Sequence, residues 1–187
     1  VKKEWIIAVD DREKRPLPLP QNIVMLDPEA GKPVTVRIHA IKRRLEHADY
    51  VVDPEGVPYW VPGFTGAGLV ERKLSIDEIA QNVLIPDKLR RFDAQLAAMR
   101  RMWAYPVLLL EATPARFARP TFRTPAPAPS VAHDVFQRLL LKHGVSLHFC
   151  PGPSITDRGA LGEWTVRLLI NAQLTPPAPI SRTADPA

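Results

Sequence analysis

The chain has 187 residues, with 25 Lys and Arg against 20 Asp and Glu, a net charge of +5 and a pI near 9.6. Its length and 45% hydrophobic share suit one domain with a real core and exclude a wholly disordered chain. A single cysteine, Cys150, excludes an internal disulfide framework and a cysteine-cluster zinc site.

Trp5 to Val9 is a short apolar run ending at Asp10 and Asp11, and it predicts a buried strand. No secretion signal is expected in a start that reaches aspartate so soon. No stretch approaches the roughly 18 apolar residues of a membrane span, so a cytoplasmic, nucleoid-associated protein is expected. The 21 prolines are about twice the usual share, and they are clustered. Pro16, Pro18 and Pro20 forbid a regular helix after the first strand.

Ile23 to Leu26 is a second short apolar run. Turn residues at Asp27 to Lys32 separate it from Val34, Val36, Ile38 and Ala40, which alternate with polar residues as in a strand. Ile38, Ile41 and Leu45 also fit a helix, so the strand is the favoured of two readings. Asp49 to Val52 starts another strand. A Gly- and Pro-rich excursion follows from Pro54 to Gly68, and Leu69-Val70 resumes a strand that runs into Glu71-Arg72-Lys73.

Ser75 with Glu78 forms a capping box. Leu89, Phe92, Leu96, Met99 and Trp103 alternate steps of three and four, the clearest amphipathic helix in the chain. Val107 to Leu110 predicts a buried strand closed by Glu111. Val131 to Leu140 predicts a helix ended by Gly144, Ser146 to Phe149 a strand, and Thr156 the cap of a last helix. Interleaved strands and helices argue for an α/β fold, a mixed central sheet flanked by helices on both faces. The tail from Thr175 to Ala187 is Pro-rich and is expected to be disordered.

Residues two apart in a strand share a face, so Glu71 and Lys73 point together while Arg72 points away. Carboxylates beside a lysine suit metal-assisted phosphodiester hydrolysis. Hard oxygens hold Mg²⁺ or Mn²⁺, and the ammonium offsets developing charge. A Glu-x-Lys triplet alone is usually a solvated strand, so the order of several motifs carries the argument.

That order is Val9-Asp10-x-Arg12-Glu13, then Ala48-Asp49-Tyr50, then Glu71-Arg72-Lys73-x3-Asp77. It resembles the nuclease domain of the XPF family of structure-specific endonucleases, within the PD-(D/E)xK superfamily. Asp77-Glu78-Ile79, Arg91-Phe92 with Gln95, and Pro106 to Glu111 continue the likeness, from about Trp5 to Asn171. The resemblance implies a restriction-endonuclease-like fold over residues 1–174, in a compact bacterial or phage-like version. It implies a Mg²⁺- or Mn²⁺-dependent endonuclease acting on branched DNA in repair, recombination or replication. Asp49 and Glu71, with Asp10, would ligate the metal. Lys73 would be the catalytic lysine, Asp10 and Glu13 would support the metal or its water, and Asp77 would hold the site together.

Ala48 replaces the family's usual Gly, and no helix-hairpin-helix module follows. A homodimer or a partner protein is therefore expected to supply DNA affinity, with Val135 to Phe149 as the expected interface. Arg12, Arg72, Lys42, Arg43, Arg44, Lys88, Arg90 and Arg91 are candidate DNA contacts, against the alternative of a solvated surface. Tyr59, Trp60 and Phe64 either stack on bases or cover an apolar edge. The five histidines lack metal-binding spacing, and Cys150 reads as a small buried hydrophobe. The alternative to a nuclease is a catalytically inactive DNA-binding scaffold of the same fold. A third reading is a nuclease that acts only inside a larger complex.

Overall fold

The structure, a computed structural model, describes residues 3–53, 66–118, 129–150 and 155–175. The excursion with Tyr59, Trp60 and Phe64, and the tail beyond Thr175, lie outside them. The chain begins with five strands: β1 (Glu4–Asp10), β2 (Asn22–Asp27), β3 (Lys32–Arg43), β4 (Tyr50–Val52) and β5 (Gly66–Lys73). Helices α1 (Ile76–Leu84) and α2 (Pro86–Met102) lead into β6 (Trp103–Leu110) and the short α3 (Pro114–Ala118). Then come α4 (Pro129–His143), β7 (Ser146–Phe149) and α5 (Ile155–Leu174).

The strands form one mixed sheet in the order β2-β3-β1-β4-β5-β6-β7. β3 is a strand throughout. It pairs parallel with β1, from Glu4 opposite Arg37 to Asp10 opposite Arg43, and antiparallel with β2. These non-local ladders decide between its two local patterns. The Asp27 side chain accepts the N–H groups of Glu29 and Ala30, and Gly31 takes φ +63°, which makes the expected turn.

Alternation along the strands sends side chains into two cores. Ala8, Val51, Leu69, Leu108 and Leu110 join Ile79, Phe92, Leu96, Met99 and Phe136 on the face covered by α1, α2 and α4. Ile7, Val9, Tyr50, Val70 and Leu109 join Val166, Leu169 and Ile170 on the face covered by α5. Each fully buried Leu, Phe or Met side chain contributes about 1.5–3 kcal/mol. The sheet is thus flanked on both faces, as the α/β reading expected.

The Ser75 hydroxyl accepts the Glu78 N–H, and the Glu78 carboxylate accepts the Leu74 N–H, so the capping box closes one residue early. α2 carries the Leu89 to Met99 stripe. Trp103 lies beyond it, as the first residue of β6. Thr156 falls inside α5 and does not precede it. The apolar residues of Val135 to Phe149 are largely spent on this chain's own core. Phe136, Leu139, Leu140 and Val145 are buried there, and only Leu141 is strongly exposed, at 82%. The expected dimer interface is corrected accordingly.

The proline segment after β1 forms no helix, yet it is packed. Leu17 is buried, and its N–H donates to the Tyr50 hydroxyl at 2.7 Å. The Arg158 side chain donates to the carbonyls of Arg15 (2.7 Å) and Pro16 (3.2 Å). Gly162 lies under Pro18, whose carbonyl oxygen would be 2.1 Å from a Cβ at that position. Prolines lack N–H donors, so this segment cannot join the sheet ladder and docks on α5 through carbonyls and Leu17.

Candidate active site

Strand parity builds the site. Leu69, Glu71 and Lys73 of β5 point to the α1/α2 side, while Val70 and Arg72 point to the α5 side. Asp49 precedes β4 and is fixed by main chain on both sides. Its carbonyl accepts the Asp10 N–H at 2.9 Å, and its N–H donates to Val70 O at 3.0 Å. Its Oδ2 accepts the Arg72 N–H at 2.7 Å. Asp10, Glu13, Asp49, Glu71 and Gln95 line one cleft of about 370 Å³, with Arg12 at its rim.

Lys73 Nζ lies 2.7 Å from Glu71 Oε1 and 3.5 Å from Glu78 Oε1. Burial alone would push this ammonium down. The carboxylates of Glu71 and Glu78 outweigh it and hold Lys73 above its usual range, so it is charged at neutral pH. Asp49 is pushed up to about 7, first by burial and next by the charge of Glu71. Asp10 behaves oppositely. Burial raises it, but hydrogen bonds from Arg12 at 2.9–3.2 Å win and hold it below the usual carboxylate range.

Several expected roles land elsewhere. Asp10 was expected as a metal ligand, but both its oxygens bond Arg12. Arg12 is also held by the Leu45 carbonyl and leaves only part of its surface to a strand. Asp77 sits partly exposed in the first turn of α1, where its charge favours the helix N-terminus. The acid that reaches Lys73 is its neighbour Glu78. Arg72 was a candidate DNA contact, yet its side chain is fully buried between Glu13 (3.0 Å) and Glu111 (2.9 Å). It also donates to the Arg15 carbonyl at 2.6 Å. Glu13 is therefore engaged by Arg72. Glu78 and Glu111 were read as a cap, a strand end and parts of the resembling motifs, with no role in the site. Parity within β5 put Arg72 away from Glu71, but only the β5–β6 register brings Glu111 to it.

The basic residues divide too. Lys42, Arg43 and Arg44 are exposed at the end of β3. Arg43 pairs with buried Asp53 at 2.8 Å, and Arg44 lies 3.5 Å from Asp11. On α2, Lys88 and Arg91 share a helix stripe with the cleft residue Gln95, whereas Arg90 turns aside and pairs with Asp87.

Among the described residues, no three acidic, His or Cys side chains stand close enough to form a metal cage. Mg²⁺ does not require one. It usually takes one or two carboxylates and completes its shell with water and phosphate oxygens. Asp49 and Glu71 fit that demand: two hard-oxygen acids close enough for one to raise the other's pKa.

No protein-family model matches the chain, and no curated protein matches it. Among solved structures, the chain is similar to XPF from Aeropyrum pernix. Identity is 20% and the TM-score 0.50, over 90% of this chain and 69% of that one. The fold is XPF-like. In this XPF-like fold, Asp49 and Glu71 line one cleft at the end of the central strands, and Lys73 bonds Glu71 behind them. Among the described residues, no helix is long and apolar enough to cross a membrane.

Proposed function

We propose that this chain is a divalent-metal-dependent endonuclease that hydrolyses phosphodiester bonds in DNA, with branched DNA (flaps, forks or junctions) as its substrate in repair, recombination or replication. The observation that carries the reading is that Asp49 and Glu71 line one cleft of an XPF-like fold, with charged Lys73 buried 2.7 Å from Glu71.

Asp49 and Glu71 would hold Mg²⁺ or Mn²⁺. Such an ion, when bound, polarises the phosphoryl oxygen and lowers the pKa of water. Lys73 is held as an ammonium, so its part is to orient the attacking water and offset charge that develops on phosphate. The Arg72 N–H fixes one Asp49 oxygen and leaves the other for the cleft. Arg12 holds Asp10 ionised, which keeps an acid beside Asp49 without adding a free negative charge. Exposed Lys88 and Arg91, and the Lys42 to Arg44 run, supply phosphate contacts. A second copy or a partner protein adds to that affinity.

The test is cleavage of labelled fork, flap, junction and duplex DNA with Mg²⁺ or Mn²⁺, with Glu71→Gln and Lys73→Ala as controls. Metal-dependent cutting lost in both variants supports the assignment. No cutting by the wild type overturns it in favour of a non-catalytic DNA-binding scaffold, and undiminished cutting by both variants overturns the active-site assignment.

A further inference from the structure

A second cleft, of about 250 Å³, lies beside the carboxylates, and we propose that it receives an unpaired nucleobase of the bound strand. The inference rests on the nuclease reading and adds which feature of the strand is recognised next to the cut.

The cleft has an apolar floor of Ala8, Val51, Met102 and Trp103 under a basic rim of Arg43 and Arg44. Glu46 and Ala48 line both this cleft and the carboxylate cleft. A strand whose phosphate lies at Asp49 and Glu71 therefore passes Ala48, with exposed Glu46 beside it, to place its next base here. The chemistry matches a nucleotide in both halves. A base has two apolar π-faces, which suit an indole and a thioether, and its flanking phosphate suits a guanidinium.

The aromatic wall is set in advance. Trp103 is 8% exposed, and a Cβ on Gly66 would lie 2.3 Å from its Cζ3, so the indole has little room to move. The small side chain of Ala48 leaves the space open. Among the described residues, Arg44 is tied only to exposed Asp11 at 3.5 Å, a surface pair weak enough for a phosphate to displace. A base inside a duplex would first have to unstack and unpair, whereas a base at a flap or fork is already free. The cleft thus favours cutting where single strand begins.

The test uses the full chain and forks carrying one abasic site at successive positions of the unpaired strand, with binding measured in Ca²⁺ and cutting in Mg²⁺. The expected result is an affinity loss of about tenfold for the abasic site at one position beside the cut, and little change elsewhere. Met102→Ala, which removes the thioether from the cleft, and surface Arg44→Ala should each weaken the intact fork and abolish that position dependence. If Met102→Ala fails to fold, Arg44→Ala still decides. Metal-dependent cutting with no dependence on abasic position overturns this inference and leaves the nuclease reading standing. Absence of cutting on every substrate overturns both. If dAMP displaces the fork as effectively as an unlabelled fork does, the cleft is a free-nucleotide site and the inference is also overturned.

Discussion

The ammonium of Lys73 stands 2.7 Å from the carboxylate of Glu71, and both side chains are at most about one-tenth exposed. Breaking such a pair from one side leaves an uncompensated buried charge, which typically costs ~3–5 kcal/mol. Lys73→Ala should therefore lower stability as well as cutting. Glu71→Gln should be milder, because Glu78 still faces the lysine. Urea unfolding of both variants and of Lys73→Ala combined with Glu71→Gln checks this. The double variant should lose less than the sum of the singles.

Asp49 gives the metal-free protein a definite pH dependence. Its folded pKa, about 7, lies above the ordinary 3.8, so the folded state keeps a proton that the unfolded chain releases in that interval. Stability from this group is present below about pH 4 and is lost as pH rises through 7. Thermal melts in EDTA should show a falling Tm across that window, and Asp49→Asn should flatten it. A divalent cation competes with the same proton, so added Mg²⁺ should raise Tm more at pH 8 than at pH 6.

Arg72 is structural in its side chain. Removing it strands Glu13 and Glu111, and Arg72→Ala should cost ~3–5 kcal/mol. Arg72→Lys should rescue only part, because one ammonium cannot reproduce a planar fork between two acids and a carbonyl. Denaturant midpoints with and without Glu111→Gln measure the coupling.

Gly162 should tolerate no side chain. Gly162→Ala sets a methyl against the Pro18 carbonyl and must lift the proline segment or shift α5, at a cost of ~1–3 kcal/mol. Gly159→Ala, where a Cβ meets nothing within 4 Å, is the matched control and should be neutral or stabilising. Thermal denaturation distinguishes the two.

The α2 stripe makes a prediction about salt. Lys88→Ala and Arg91→Ala should each reduce the salt slope of DNA binding by about one, and Arg90→Ala should change it little. Affinity titrations across a range of salt concentrations read this directly.

Sequence alone determined most of the elements and the face that Glu71 and Lys73 share. Period-2 runs, the Leu89 to Met99 stripe and the Ser75 cap mark local structure because they follow from backbone geometry and burial within a few residues. The same parity placed Glu71 and Lys73 together and Arg72 apart. Tertiary structure alone decided the partners. That β3 is a strand, that Arg72 is buried on Glu111, that Asp10 is held by Arg12 and Leu45, and that Glu78 serves Lys73 while Asp77 does not, all depend on register between strands or on where a loop or helix end comes to rest. Such contacts join residues far apart in the chain, or choose among near-equivalent neighbours, and no local periodicity encodes them. Even the prolines changed meaning for this reason. Their spacing forbade a helix, but only the approach of Gly162 and Arg158 shows what the segment does in its place.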